Sequence, residues 1–451
     1  MRRYVSLIGV VVALGAASTA RAATTLEIRG GGDGHGIGMS QYGAYGYAAH
    51  GQSYEFILAH YYEGTALGNT DPNQVVRVLL GTGKPQFSGA SDAGGHNLDP
   101  SVTYSVGALP AGGLALYSPA GKKLAEFSTT LSVTGPGPLT LAGRGQYRGA
   151  LEFRAAGSRV QMVNAVGLDD YVRGVISAEM PASWPPAALE AQAVAARTYA
   201  ITTDVAGNGY QLYDDTRSQM YGGVAAETPP TDAAVAATSG QIVTYQGNPA
   251  ITYFFSSSGG HTENIENVWL GATPEPWLRG VPDPYDAAGG NPYYRWSVRL
   301  SIAAADKKLG RLVRGRLRGI RLIKRGVSPR VVYAQVMGTR GTTQVTGPQL
   351  QSVFGLLSTY MRFTTISART IRRRTVAHMS TQSWALRTLV GSVFPARPRT
   401  KVTIEVRRAD RWRRLMRVAV GPGAQYRADV PDTGTYRVVY GGVIGPTVSL
   451  P

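Results

Sequence analysis

The stretch from Leu168 to Thr203 limits what this chain can fold into more than any other. Leu168, Val172 and Val175 fall at i, i+4 and i+7, and Glu179 at i+11 stays on the same stripe. That spacing predicts an amphipathic helix whose apolar face ends in a carboxylate. Pro181, Pro185 and Pro186 then impose a turn, and the paired prolines suit the start of a second helix, where a missing N–H costs nothing. The second helix, Ala188 to Thr203, carries Ala191, Ala193, Ala195, Ala196 and Ala200, so neighbouring elements can pack very close to it. Its conspicuous polar groups are Gln192, Arg197 and Tyr199. An arginine buried there must be paired, or must face an anionic or hydroxyl-rich ligand; an internal salt bridge is the alternative.

A carboxyl group on an apolar stripe is partly desolvated, which raises its pKa and keeps it protonated near neutrality. That is the state in which a general acid protonates a leaving-group oxygen. The alternative is a helix-end glutamate that reaches into water.

Around these helices the 57 glycines and 26 prolines punctuate short alternating segments, which indicates many strands and turns and an α+β chain. From Gln74 to about Phe153 the pattern is all-β and offers no catalytic cluster. Gly30 to Gly38 is too glycine-rich for regular structure and leaves His35 uncrowded, either as a ligand-contacting histidine or as one in a flexible turn. Met39 to Gly51 reads as a small-residue helix, and a second helix follows Ser53. Ala250 to Phe255 reads as a strand running into Ser256-Ser257-Ser258-Gly259-Gly260-His261. Serines beside a histidine invite a nucleophile–base reading, but no G-x-S-x-G elbow is present, and a polar loop lining a cleft is the other reading. Thr346 to Phe354 is a short capped helix, Arg372-Arg373-Arg374 reads as a linker, and strand–turn–strand patterns fill the chain from Thr375.

With no cysteine, disulfides, thiolate nucleophiles and Cys-ligated zinc are excluded. The six histidines show no metal-ligand spacing, so neither a metal nor another cofactor is expected. Arg2 and Arg3, an apolar run from about Val5 to Ala16 and a small-residue site ending at Ala22 follow the grammar of a signal peptide, and predict a secreted protein, with an N-terminal membrane anchor as the alternative. Net charge is +18, and between Arg295 and Arg374 Asp306 is the only acid. A basic surface concentrates polyanions; export favours an anionic wall polymer over nucleic acid, with a solvated arginine face as the alternative.

Gly167 to Pro181, followed by Ala188 to Ala200, closely resembles the stage II sporulation protein D (SpoIID/LytB) family. So do Ser218-Gln219-Met220-Tyr221-Gly222-Gly223, the Ser257-Ser258-Gly259-Gly260-His261-Thr262-Glu263 loop, Val268-Trp269 and Gly36 to Ala44, together spanning roughly two thirds of the chain. The resemblance implies a secreted, cell-wall-associated lytic transglycosylase that cuts peptidoglycan glycan strands and leaves 1,6-anhydro-muramyl ends. The alternative, also within the family's reach, is a non-catalytic enhancer of a wall amidase.

On that resemblance Glu179 is the catalytic acid/base and Arg197 an essential active-site residue. His35, Ser40, Gln41, Gln192, Gln219, Tyr221, Ser257, Ser258, His261, Trp277 and Arg279 are expected at the substrate. The last two stand where the family has a Tyr and a Lys-like residue. The implied organisation is a signal peptide (1–22), a SpoIID-like catalytic domain (23–65 and 141–370), a β-rich subdomain (66–140) and an immunoglobulin-like β-sandwich (375–451). In the family the Gly-His-Gly-x-Gly-Met-Ser-Gln motif comes late; here it comes first. A circular permutation is therefore expected, with Thr24 to Gly64 folding back to bring His35 to Glu179.

Overall fold

The computed structural model describes residues 23–205, 209–376, 384–396, 399–431 and 433–450, so the leader reading falls outside it. The chain is mixed α+β. Its helices are α1 (Gln41–Ala49), α2 (Tyr54–Tyr61), α3 (Leu168–Glu179), α4 (Pro186–Thr202), α5 (Pro229–Ala237), α6 (Ile265–Val268), α7 (Ile302–Leu309) and α8 (Gly347–Phe354).

α3 forms as the spacing requires, with Leu168, Tyr171, Val172, Val175 and Ile176 buried. It stops at Glu179 because Pro181 pushes Met180 into extended backbone, φ −131° and ψ 141°. Pro186 opens α4, whose alanines are buried almost throughout. Small side chains let α1, α2, α3, α5 and the Gln241–Tyr245 strand all crowd onto this one helix. A larger residue at any of these alanines would overpack the core by about 1–3 kcal/mol.

The strand that launches α3, Arg159–Gly167, pairs with Val75–Gly83 on one side and Ala150–Ala156 on the other. The β-rich stretch is thus hydrogen-bonded to the strand that leads directly into the Glu179 helix. The N-terminal strand, Ala23–Gly30, lies between Trp296–Ser301 and Met361–Val376, antiparallel to both. The expected Ala250–Phe255 strand shrinks to Phe254–Phe255, which pairs in parallel with Met39–Ser40 and joins two distant motifs.

The linker expectation at Arg372–Arg374 is corrected: the Met361–Val376 strand runs through it and pairs with Trp384–Phe394. Strand pairing uses backbone groups, so a run of like charges does not interrupt it. Gln425–Pro431 completes this five-stranded sheet, and a four-stranded sheet of Arg411–Ala419, Lys401–Arg408, Gly434–Tyr440 and Val443–Leu450 lies nearby. Ile366, Leu389, Val402, Ile404, Tyr436 and Val438 form the core those strands share.

Candidate active site around Glu179

Glu179 sits at the C-terminal end of α3, and two groups hold its carboxylate. The Met220 backbone N–H donates to Oε1 at 2.8 Å and Gln41 Nε2 donates to Oε2 at 3.3 Å. Burial pushes the Glu179 carboxyl above the ordinary glutamate range, and the two hydrogen bonds oppose that rise only in part. Among the described residues no second carboxylate contributes to that shift.

Gln41 reaches Glu179 because α1 is pinned from beneath. Ser40 caps α1, accepting from Gly43 N–H at 3.2 Å and donating to Asp286 Oδ1 at 2.8 Å. Asp286 also accepts from Ser257 Oγ, Ser258 N–H and Gly259 N–H, while Asp283 accepts from Tyr61 Oη and Ser258 Oγ. Gly43 must be glycine: a Cβ there would lie 1.9 Å from Tyr61 Oη and 2.4 Å from the Asp283 carboxylate. Burial, then the neighbouring Asp286, pushes the Asp283 carboxyl up to about 7.

Aromatic rings flank the carboxyl. Beside Gln41, Tyr42 packs on Trp184 of the proline-rich turn at 5.1 Å and on Tyr293 at 6.0 Å, and Tyr45 packs on the same Trp184. Tyr199, which feels the Glu179 charge, meets Tyr253 at 5.9 Å, and Tyr253 meets Trp269 at 4.7 Å. Trp184, Tyr42, Tyr293 and Tyr253 are half-buried and Trp269 is exposed. Partly exposed rings around convergent polar groups make a surface for amphipathic ligands such as sugars.

His35 lies at the outer end of the second ring series, with its ring 5.3 Å from Phe255, 5.5 Å from Trp269 and 6.1 Å from Tyr253. Its Nδ1 accepts from Ile37 N–H at 3.0 Å, and burial, followed by the Arg330 charge, holds its pKa down to about 4. It is therefore a neutral imidazole, and no hydrogen bond joins it to Glu179. The N-terminal segment does fold onto the carboxylate as expected, but the residue that touches it is Gln41.

Other expected substrate contacts are engaged in packing. Arg197 is fully buried: its Nε donates to Asp169 Oδ1 at 2.6 Å and its Nη1 to Gln241 O at 3.0 Å. Asp169 and Glu179 occupy opposite ends of α3, a separation of roughly 15 Å along the axis. Arg197 thus fastens the start of α3 to α4, and its Nη2 has no hydrogen-bond partner among the described residues.

Ser40, Ser257 and Ser258 are buried and donate to aspartates, and His261 Nδ1 pairs with Thr262 O, so among the described residues no serine–imidazole pair exists. Gln192 and Gln219 are also buried; Gln219 donates to Ala196 O. Gln219 adjoins Met220, whose N–H holds Glu179, whereas both polar atoms of the Gln192 amide are buried with no hydrogen-bond partner among the described residues. Tyr221 donates to Asn164 at 2.7 Å, Trp277 Nε1 to Ile251 O at 2.9 Å, and Arg279 forms a two-pronged pair with Glu266. Motif position in sequence carried no signal for which of these polar groups turn inward. Asp283 and Asp286 were missed because Asp283-Pro284-Tyr285-Asp286 has the composition of an ordinary turn.

Residues 156–245 match the family model described as SpoIID, stage II sporulation protein, a narrower span than the motifs suggest. Over 168 residues the chain is 38% identical to stage II sporulation protein D of Bacillus subtilis, covering 33% of this chain and 48% of that protein. It is 39% identical over 137 residues to the amidase enhancer of the same organism, covering 30% of this chain and 18% of that protein. An uncharacterized protein of Brachyspira hyodysenteriae is 38% identical over 139 residues, covering 30% of this chain and 37% of that protein. The chain spans about half the length, or less, of these curated relatives.

Proposed function

We propose, from the match of residues 156–245 to the SpoIID family model, that this chain is an exported, cell-wall-associated lytic transglycosylase acting on peptidoglycan glycan strands. The observation that carries this reading is the Glu179 carboxyl, raised by burial and held by the Met220 N–H and Gln41, with no carboxylate among the described residues contributing to its shift. Ordinary glycosidases use two carboxyl groups, one as acid and one as base or nucleophile.

One carboxyl suffices when the substrate supplies its own nucleophile. Protonated Glu179 gives its proton to the glycosidic oxygen as the C1–O4 bond breaks. The resulting carboxylate then takes the proton of the sugar's 6-hydroxyl while O6 bonds to C1. Glu179 ends protonated, no water is consumed, and the product carries a 1,6-anhydro ring. Between the two steps the Met220 N–H and Gln41 Nε2 support the ionised form. The rings of Tyr42, Trp184, Tyr199 and Tyr253 would take the apolar faces of the flanking sugars. The closeness of Gly31 N–H to Tyr360 O, 3.2 Å, supports a circular permutation of the domain. The C-terminal strands are read as an immunoglobulin-like module.

A second reading, stimulation of a wall amidase, is favoured by the identity to the amidase enhancer. Incubation with denuded glycan strands, followed by mass spectrometry, separates the two. Wild type should release anhydro-ended fragments and Glu179→Gln should lose at least about 100-fold of that rate. Cleavage surviving in Glu179→Gln sinks the mechanism. A wild type that never cleaves yet accelerates an amidase establishes the second reading.

A further inference from the structure

Two cavities of about 620 Å³ and 660 Å³ lie side by side, and both are lined by Arg325 and Arg362. Arg295 lines the first, Arg321 and Lys401 the second, and no Asp or Glu lines either. This concentration of cations is built into the fold. Arg325 donates through Nη1 to Pro329 O and through Nη2 to Met361 O, which fixes its guanidinium. Arg295 donates to Gly259 O at 2.9 Å and lies over the Tyr294 ring at 3.9 Å and the Tyr360 ring at 5.4 Å.

Arg362 forms no hydrogen bond or ion pair among the described residues. It stands beside Arg325, whose charge it disfavours, and directly across the strand pair from Arg29. Like charges opposite one another on a sheet are destabilising. Arg29 is neutralised by Glu27, but nothing comparable meets Arg362. Glu263, behind this wall, is turned inward, and its two oxygens accept from Asn264, Asn267, Val327 and Ser328. Those bonds hold the Gly326–Ser328 loop that lines the first cavity.

We propose that the paired cavities bind a linear polymer of phosphodiester-linked polyol units, with one phosphate bridging Arg325 and Arg362. Each cavity is of a size that takes an organic ligand rather than a lone ion. A tetrahedral phosphodiester directs its two free oxygens to two different guanidiniums, whereas a planar carboxylate matches one fork. Leu322, half-buried at the second cavity, suits the carbon chain between phosphates. Single-stranded nucleic acid fits less well, because it requires open aromatic faces and Arg295 already covers Tyr294 and Tyr360.

The site is separate from Glu179, and its binding is measured with no glycan present, so it succeeds or fails independently of cleavage. A fluorescent glycerol-phosphate oligomer is titrated into the full chain, with length-matched oligogalacturonate and oligothymidylate in parallel. The expected result is binding of the glycerol-phosphate probe at about 50 mM salt, with log affinity falling linearly in log salt. Arg362→Ala, which removes no intramolecular bond, should weaken binding about tenfold with unchanged thermal unfolding. Arg325→Ala/Arg362→Ala should abolish it. The proposal is overturned if Arg362→Ala binds like wild type, or if either comparison polyanion binds as tightly as glycerol phosphate.

Discussion

Gln41 donates to the same oxygen of Glu179 from which the Met220 amide is absent, so each carboxylate oxygen has one protein donor. Donation to a carboxylate favours its ionised form. Removing it in Gln41→Ala leaves burial less opposed, so the Glu179 pKa rises further. Since the first step needs the protonated acid, the alkaline limb of the kcat/KM–pH profile should move to higher pH. The maximum rate should fall at the same time, by roughly 10-fold, through loss of support for the ionised state. A limb that moves to lower pH, or not at all, would remove Gln41 from the acid's immediate environment.

At the scale of elements, α3 and α4 were legible in the chain because a helical stripe and well-placed prolines act locally. Glu179 was legible for the same reason: it continues the stripe of Leu168, Val172 and Val175, and Pro181 ends the helix directly after it. Arg197 was visible as a buried arginine, but which partner it takes depends on how α3 docks on α4, and no local pattern encodes that. The aspartates beneath Ser40, and the rings of Tyr42, Trp184, Tyr253 and Trp269, are gathered from segments more than 200 residues apart, as in the Ser40–Asp286 bond. Periodicity within one element says nothing about such meetings. The Arg197–Asp169 pair also defines what a scaffolding role looks like. Arg197→Met takes the guanidinium from the half-buried Asp169, which keeps the Ser239 hydroxyl as a donor, and should cost on the order of 1–3 kcal/mol in denaturant unfolding. At a temperature where the variant stays folded, its KM should hold near wild type and its pH profile should keep its shape. Glu179→Gln should show the converse, lost turnover with no loss of stability.

For the molecule as a whole, the buried Asp283–Asp286 network ties α1, α2 and the Ser257–Gly259 loop together, and burial raises the Asp283 carboxyl within it. The folded pKa of Asp283 is about 7, above an unfolded value of about 3.9. Across that window the folded chain retains a proton that the unfolded chain releases, so this contribution to stability falls as pH rises and is fully lost above the folded pKa. Asp283→Asn removes the titration while keeping a neutral side chain of the same shape. Between about pH 5 and pH 8 the urea midpoint of wild type should drop more than that of the variant; equal drops would show that Asp283 does not carry the effect.

The N-terminal strand finds both of its neighbours near the other end of the chain: Thr25 pairs with Ser301 on one side and with Ile366 on the other. A ribosome adding about 5–20 residues per second delivers that second partner about 70 s after Thr25 at the slower rate and about 17 s after it at the faster. α1 is seated sooner, because Phe254 and Asp286, which hold Met39 and Ser40, both precede that strand. Gln41 can therefore meet Glu179 once the chain has passed Asp286, whereas the sheet around the N-terminal strand closes only with Met361–Val376.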